Sequence, residues 1–113
     1  LGSGLPGGAF ADWTRWCNRP DYFFSEEPRF DAKNLFASVR TPILAIGATD
    51  DLWGTPAARE AIMRHFTNAP VETRWLDPQD AGGPIGHLDF FRSRFRETLW
   101  PEAIGWLKGE AQA

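Results

Sequence analysis

The chain has 113 residues, which is enough for at most one small domain. Its composition, 42% hydrophobic and 14% aromatic with 6 Trp and 9 Phe, is typical of a globular protein with much apolar surface to cover. The net charge of −3 argues against a nucleic-acid partner and against binding to an anionic membrane. No apolar run approaches a membrane span, no signal peptide is visible, and the single cysteine, Cys17, excludes an internal disulfide framework. We therefore expect a cytoplasmic protein.

Residues 1–40 are predicted to form a mobile N-terminus followed by a lid-like helical and aromatic segment. Residues 1–9 are rich in Gly and are expected to be mobile. A helix is predicted over residues 10–19 and must end before Pro20. Its apolar side chains recur at helical spacing: Phe10, Trp13, Trp16 and Cys17. The following residues, 21–36, alternate aromatic and turn residues, which predicts irregular structure with short helical pieces.

Residues 41–113 are predicted to form a βαβ unit followed by a C-terminal helix. The apolar run at residues 43–46 is bounded by Gly47 and is typical of a strand buried on both faces of a parallel sheet. Thr55 is a good N-cap, and Pro56 at the first helical position begins an amphipathic helix that continues to about His65.

The second strand of this unit is predicted at residues 71–76, where apolar and polar side chains alternate as in a half-buried edge strand. A strand, a helix and a strand joined by short links predict two parallel strands with a right-handed crossover. A loop rich in Gly and Pro follows at residues 77–87, and a helix is predicted over residues 88–108, kinked or restarted at Pro101. The apolar stripe of this helix comprises Phe91, Phe95 and Leu99.

The predicted sheet is too small to be stable alone. Two parallel strands need further strands and cover on both faces, and residues 1–40 contain no further strand pattern. The chain also begins without Met and has its only methionine at Met63. An expression scar, a processed protein or a piece cut from a longer chain would each explain this start. From the incomplete sheet we expect one end of a larger doubly wound sheet and not a whole domain.

Two strand ends bring an acid and an imidazole to the same rim of the predicted sheet. Asp50 lies four residues after Ile46, and the loop that carries His87 leaves the same edge of the second strand. Ligands and catalytic groups of open α/β sheets lie beyond the carboxyl ends of the strands. A carboxylate facing an imidazole can fix its tautomer. Because Thr55 already caps the helix, neither Asp50 nor Asp51 is needed there, and turn formation is the alternative explanation for both.

Other titratable residues are interpreted structurally. His65 lies in the last turn of its helix, where a cation meets the negative end of the dipole. The arginines that follow His87 are spaced by two residues and scatter around a helix, as expected of a solvated face: Arg92, Arg94 and Arg96. Two histidines and one cysteine without ligand spacing predict neither a metal site nor a cofactor.

The stretches "TPILAIGATDDLWGTP" and "VETRWLDPQDAGGPIGHLDFF" resemble the C-terminal third of an α/β-hydrolase. In that family the acid commonly stands three residues after a Gly that ends the penultimate core strand, which gives Asp50. The histidine commonly follows a Gly after the last strand, which gives His87. "ADWTRWCNRPDYFF", "TDDLWGTP" and "IGHLDFFRSRF" further resemble predicted bacterial α/β-hydrolases of unassigned substrate, so that the likeness covers residues 8–108.

The resemblance implies a serine-type, esterase-like hydrolase in which Asp50 orients His87, with Asp51 as the alternative acid. The chain has no G-x-S-x-G motif and no glycine-rich oxyanion loop, and all four serines lie outside such a context: Ser3, Ser25, Ser38 and Ser93. We therefore expect the C-terminal part of an α/β-hydrolase fold, inactive without an upstream serine. Four aromatic residues either line an acyl pocket or pack between helices: Trp13, Trp16, Tyr22 and Phe23.

The partners implied are an ester-like small molecule and the missing N-terminal part of the same chain. The incomplete sheet also predicts that the isolated segment self-associates. Two other functions are open at this point: a non-enzymatic, hydrolase-derived interaction module, and a non-hydrolytic α/β enzyme that uses the acid–histidine pair.

Overall fold

The computed structural model describes residues 6–25 and 31–112, with side chains described as far as residue 109. The helices and strands follow in this order: α1 (Gly7–Cys17), α2 (Ala32–Ala37), β1 (Ile43–Ala48), α3 (Pro56–Met63), β2 (Val71–Leu76), α4 (Pro78–Ala81) and α5 (Trp100–Gln112). Two 3₁₀ turns, Asp89–Phe91 and Ser93–Phe95, lie between α4 and α5.

The predicted βαβ unit is confirmed. β1 and β2 pair in parallel, with Ile43 opposite Val71 and Ala48 opposite Leu76. α3 begins as predicted, since the Thr55 hydroxyl accepts a hydrogen bond from the backbone N–H of Ala58 at 3.2 Å and Pro56 takes the first helical position. The described residues thus form a mixed α/β structure around a two-stranded parallel sheet.

Burial of both strands increases toward their carboxyl ends. In β1 only Ala48 is buried and the other residues are half-buried, so the prediction of a strand buried on both faces is wrong for the described residues. In β2 the first three residues are exposed and the last three half-buried, so the predicted alternation is also wrong. The reason is that the hydrophobic core packs against one end of the sheet rather than along a whole face.

That core lies under the loops at the carboxyl ends of the strands. It comprises five buried residues, Ala48, Ala81, Ile85, Phe95 and Leu99, with Leu76, Phe90 and Trp100 packed against them. The Trp100 indole donates a hydrogen bond to the Phe90 carbonyl at 2.7 Å, which ties the start of α5 to the first 3₁₀ turn.

The region after β2 differs from the prediction at two places. The short helix α4 forms within the segment predicted to be a loop, capped by Asp77 and ended by Gly82 in the left-handed conformation at φ 87°. The continuous helix predicted over residues 88–108 is wrong, because the chain makes two 3₁₀ turns before α5. Pro101 lies in the first turn of α5, where a residue without an N–H is tolerated, so it restarts the helix.

Residues before β1 pack onto the end of α3 through aromatic side chains. α1 begins three residues earlier than predicted, and residues 1–5 of the segment predicted to be mobile lie outside the described residues. Phe24 is buried and stacks on His65 with ring centroids 3.5 Å apart. The ring centroids of Phe36 and Phe66 lie 4.6 Å apart. This aromatic contact joins the N-terminal segment to the βαβ unit. None of the described helices is long and apolar enough to cross a membrane.

Candidate functional site

The two loops that leave the carboxyl ends of β1 and β2 meet above the core. Their approach begins where the sheet ends, since the Thr49 N–H donates a hydrogen bond to the Leu76 carbonyl at 2.9 Å. The first loop carries Asp50 and Asp51, and the second carries His87. The predicted convergence of acid and imidazole at one rim is therefore what the structure shows.

Asp51 is the carboxylate that faces the imidazole. Its Oδ2 lies 2.9 Å from His87 Nδ1 and its Oδ1 lies 3.2 Å from the same nitrogen. The backbone N–H groups of Trp53 and Gly54 each donate a hydrogen bond to Oδ1 at 2.9 Å. The Asp51 side chain is 10% exposed, whereas that of His87 is 48% exposed, so the pair has a half-buried acid and an accessible base.

These contacts keep Asp51 ionised. Burial by itself would raise the pKa of this carboxyl, but the hydrogen bonds from Gly54, His87 and Trp53 outweigh burial and lower the pKa below its ordinary value of 3.8. An ionised carboxylate can only accept hydrogen bonds, so Nδ1 of His87 must carry a proton. In the neutral ring Nε2 is then the basic nitrogen.

Asp50 has a different role from the one that the sequence predicted. Its two oxygens accept hydrogen bonds from the backbone N–H groups of Ile85, at 3.0 Å, and Gly86, at 2.9 Å. The prediction that Asp50 faces the imidazole is thus corrected, because its carboxylate holds the backbone before His87. Gly86 adopts φ 61°, a conformation that glycine takes without strain.

Two arginines also hold the loop on both sides of His87, at Pro84 before it and at Asp89 after it. Arg94 Nη2 donates hydrogen bonds to the Pro84 carbonyl at 2.8 Å and to the Asp89 carboxylate at 2.7 Å. Arg92 contacts the same carboxylate at 2.9 Å, and both arginines together lower the pKa of Asp89. Although these side chains are exposed, as the sequence predicted, they brace the loop that carries the imidazole.

Two cavities open beside His87. One of about 310 Å³ lies between β1, the 3₁₀ turns and α5; among the residues lining it are Leu44, Ile46, Leu76, Ile85, Phe90 and Phe91. The other, of about 350 Å³, lies on the outer side and includes Leu52, Trp53 and Leu88. The Trp53 ring is tilted against the imidazole with centroids 5.3 Å apart. No Ser, Thr or Cys side chain of the described residues lines either cavity.

The aromatic residues considered for an acyl pocket lie elsewhere. None of Trp13, Trp16, Tyr22 and Phe23 lines a cavity beside His87. Trp16 packs edge-on against Phe23 with centroids 5.4 Å apart, and Phe23 contacts Phe36 at 5.9 Å. For Trp16 and Phe23 the structure therefore favours the alternative explanation, packing between helical segments, whereas Trp13 contacts only Phe10 of its own helix among the ring contacts described.

His65 is separate from the pair. Its Nε2 lies 3.5 Å from the Asp21 carboxylate, which also binds Arg64 at 2.9 Å, and its side chain is 13% exposed. Within residues 6–25 and 31–112, no three His, Cys, Asp or Glu side chains come together in a way that could hold a metal ion. His65 thus belongs to the aromatic contact between the N-terminal segment and α3.

Sequence reasoning assigned the imidazole to the wrong one of two adjacent carboxylates. The sequence signals only the turn contacts of Asp51, because "DLWG" places a Gly three residues after an Asp, as in turns where the side chain accepts backbone N–H groups. It does not indicate the contact of Asp51 with His87. Nothing local to Asp50 revealed its partners, which lie 35 and 36 residues away in the chain.

Comparisons of this chain with protein-family models, with curated proteins and with solved structures each gave no match.

Proposed function

We propose that this chain supplies the acid and the histidine of a serine-type, esterase-like α/β-hydrolase, with Asp51 in place of Asp50 as the acid. The observation that supports this most directly is the contact of a half-buried, ionised Asp51 with Nδ1 of a half-exposed His87. The resemblance to the α/β-hydrolases comes from sequence motifs that end in these same two loops.

In this proposal Nε2 of His87 takes the proton from a serine hydroxyl as its oxygen bonds to the acyl carbon of an ester. Asp51 keeps Nδ1 protonated and stabilises the imidazolium that forms. The same proton then passes to the alcohol oxygen as the ester bond breaks, and water releases the acyl group. The apolar lining of the 310 Å³ cavity suits an uncharged acyl or alcohol group.

The nucleophile in this proposal comes from outside the described residues. The cavities beside His87 have no hydroxyl or thiol side chain among their described lining residues, and the sequence has no G-x-S-x-G motif. We therefore expect no activity from these residues alone. We also propose that the enzyme is cytoplasmic and uses no metal, cofactor or nucleic-acid partner.

Two experiments test it. A serine-directed fluorophosphonate should not label the 113-residue chain, and stoichiometric labelling of any of its four serines would contradict the assignment.

The reading frame upstream of Leu1 should encode a strand, a G-x-S-x-G elbow and a helix. The extended protein should then react with the probe and hydrolyse a p-nitrophenyl ester.

A second candidate function is a non-enzymatic interaction module. Four large apolar side chains at the rim are strongly exposed: Leu52 at 87%, Trp53 at 77%, Leu88 at 70% and Phe91 at 76%. Exposed apolar groups in one region are typical of a surface that binds another molecule. An upstream reading frame without a nucleophile elbow, together with an inert extended protein, would favour this function over hydrolysis.

A further inference from the structure

Asp50 makes contacts that a turn residue does not need. Its carboxylate lies in the loop after β1, yet both of its oxygens bind the backbone of the loop after β2, one at Ile85 and one at Gly86. The side chain is half-buried, which excludes much of the water that would otherwise weaken these bonds. Two charge-assisted hydrogen bonds therefore fix the backbone directly before His87.

Asp50 shares this task with two other anchors, since the Asp89 N–H donates a hydrogen bond to the Ile85 carbonyl at 3.2 Å and Arg94 binds the Pro84 carbonyl. The Gly86 N–H itself is held by Asp50. Gly86 is in the left-handed region at φ 61°, and it has the widest choice of alternative conformations of any residue type. Ile85 is buried at 3% exposure and anchors the segment to the core, whereas His87 is exposed. A shift of the peptide between Ile85 and Gly86 would move the imidazole away from Asp51.

We propose that Asp50 is a positioning residue, which holds the Ile85 and Gly86 backbone so that Nδ1 of His87 stays on Asp51. The two adjacent carboxylates then have complementary roles, since Asp51 binds the ring and Asp50 binds the chain that carries the ring. The purpose of this positioning rests on the proposed hydrolase function, but the geometry can be tested without catalysis.

The experiment measures the His87 tautomer and two amide exchange rates in the ¹⁵N-labelled chain, at a pH where the ring is neutral. In the wild type the ring nitrogen shifts should report one tautomer, with the proton on Nδ1. Asp50→Asn keeps the shape of the side chain but places an NH₂ group against one of the two N–H donors. We expect hydrogen exchange of the Ile85 and Gly86 amides to become at least about tenfold faster and the His87 nitrogen shifts to move toward a mixture of tautomers.

Two matched variants separate positioning from general damage. Asp51→Asn should change the tautomer while leaving the exchange of the Ile85 and Gly86 amides protected by Asp50. Asp80→Asn removes an exposed carboxylate from the same region and should change neither quantity. Should Asp50→Asn fail to fold, Asp50→Ser, which keeps one acceptor oxygen, takes its place with the same two readouts.

Faster amide exchange in the Asp50 variant with an unchanged tautomer would overturn the proposal, because Asp50 would then be a structural bond only. Unchanged amide exchange would overturn it too. If the extended enzyme is active, Asp50→Asn should lower kcat by about 10-fold to 100-fold and leave KM nearly unchanged. If the extended enzyme is inactive, the proposed hydrolase function is wrong. The His87 tautomer then still shows whether Asp50 is a positioning residue.

Discussion

At the residue scale, Asp50 and Asp51 are neighbours that bind different partners. Asp51 is fixed from its own loop by two backbone N–H groups, whereas Asp50 reaches the loop after β2. Because the loop turns between them, one side chain points at the imidazole and the other at the backbone before it. Each can therefore be removed with a different expected consequence.

The first prediction concerns catalysis in the extended enzyme. Asp51→Asn should lower kcat by about 10³-fold to 10⁴-fold, because an amide does not hold Nδ1 protonated as a carboxylate does. His87→Ala should cost at least as much, and Asp80→Asn should have no effect. Steady-state ester hydrolysis measures all three. If Asp51→Asn keeps activity within tenfold of wild type, another group orients the imidazole.

The second prediction follows from the lowered pKa of Asp51. A carboxyl with a lower pKa in the folded state adds stability above its unfolded pKa, and that stability is lost as the pH falls through the folded value. The free energy of unfolding of wild type should therefore exceed that of Asp51→Asn by a margin that shrinks as the pH falls from about 5 toward 3. Urea unfolding across this range measures it. If the stability difference between wild type and Asp51→Asn grows as the pH falls, the pKa of Asp51 is raised on folding instead of lowered.

At the element scale, β1 and α3 approach closely at Gly47. The Arg59 guanidinium of α3 lies 3.9 Å from the centre of the Trp75 ring of β2 and donates a hydrogen bond to the Ala45 carbonyl at 3.2 Å. A Cβ at position 47 would come within 2.7 Å of Trp75 and would clash with Arg59 as well. The glycine thus allows a cation to lie across the sheet, and burial lowers the pKa of this arginine although the charge of Asp51 opposes that effect.

The third prediction is that Gly47→Ala destabilises the chain by about 1–3 kcal/mol, because Arg59 and Trp75 must both move. Gly105→Ala is the matched control, since nothing lies within 4 Å of a Cβ there and the position is helical. It should be neutral or stabilising by about 0.5–1 kcal/mol. Chemical denaturation measures both variants. Equal stability of the two would mean that the contact between Arg59 and Trp75 does not constrain the sheet.

At the scale of the whole molecule, the described part of the chain leaves much apolar surface uncovered. Seven hydrophobic residues are buried there, while ten large hydrophobic residues are exposed. The radius of gyration is 16.4 Å, compared with about 13 Å for a compact domain of 100 residues. The N–H groups of Ile43, at the start of β1, and of Thr49, directly after it, donate hydrogen bonds to backbone carbonyls beside and at the end of β2. The alternate residues Leu44 and Ile46 therefore turn their backbone groups to the other edge of β1. No strand of the described residues pairs with that edge.

The fourth prediction is that the 113-residue chain self-associates at micromolar concentration. An unpaired edge next to apolar side chains is a template for another strand. Leu44→Lys places a charge at this edge and should shift the population toward monomer, whereas Thr73→Lys on the exposed part of β2 should not. Sedimentation equilibrium gives the masses, and a clean 12.7 kDa monomer with a cooperative melt would contradict the prediction.

The sequence alone determined the βαβ unit and the rim where its loops meet. The apolar run of β1, the Thr55 cap and the turn residues act within a few positions, so they can be recognised without knowing the rest of the fold. Tertiary packing decided where the last helix begins. Two 3₁₀ turns, not the predicted helix, precede Trp100, and Phe95 in the second turn packs into the core.

Only the tertiary structure decided which carboxylate faces the imidazole. Asp50 and Asp51 have the same chemistry and adjacent positions, and both are compatible with the turn. Their roles depend on where His87 and the N–H groups of residues 85 and 86 lie once the two loops have packed together. Those groups are 35 to 36 residues away in the chain, so local sequence patterns do not specify the distance between them.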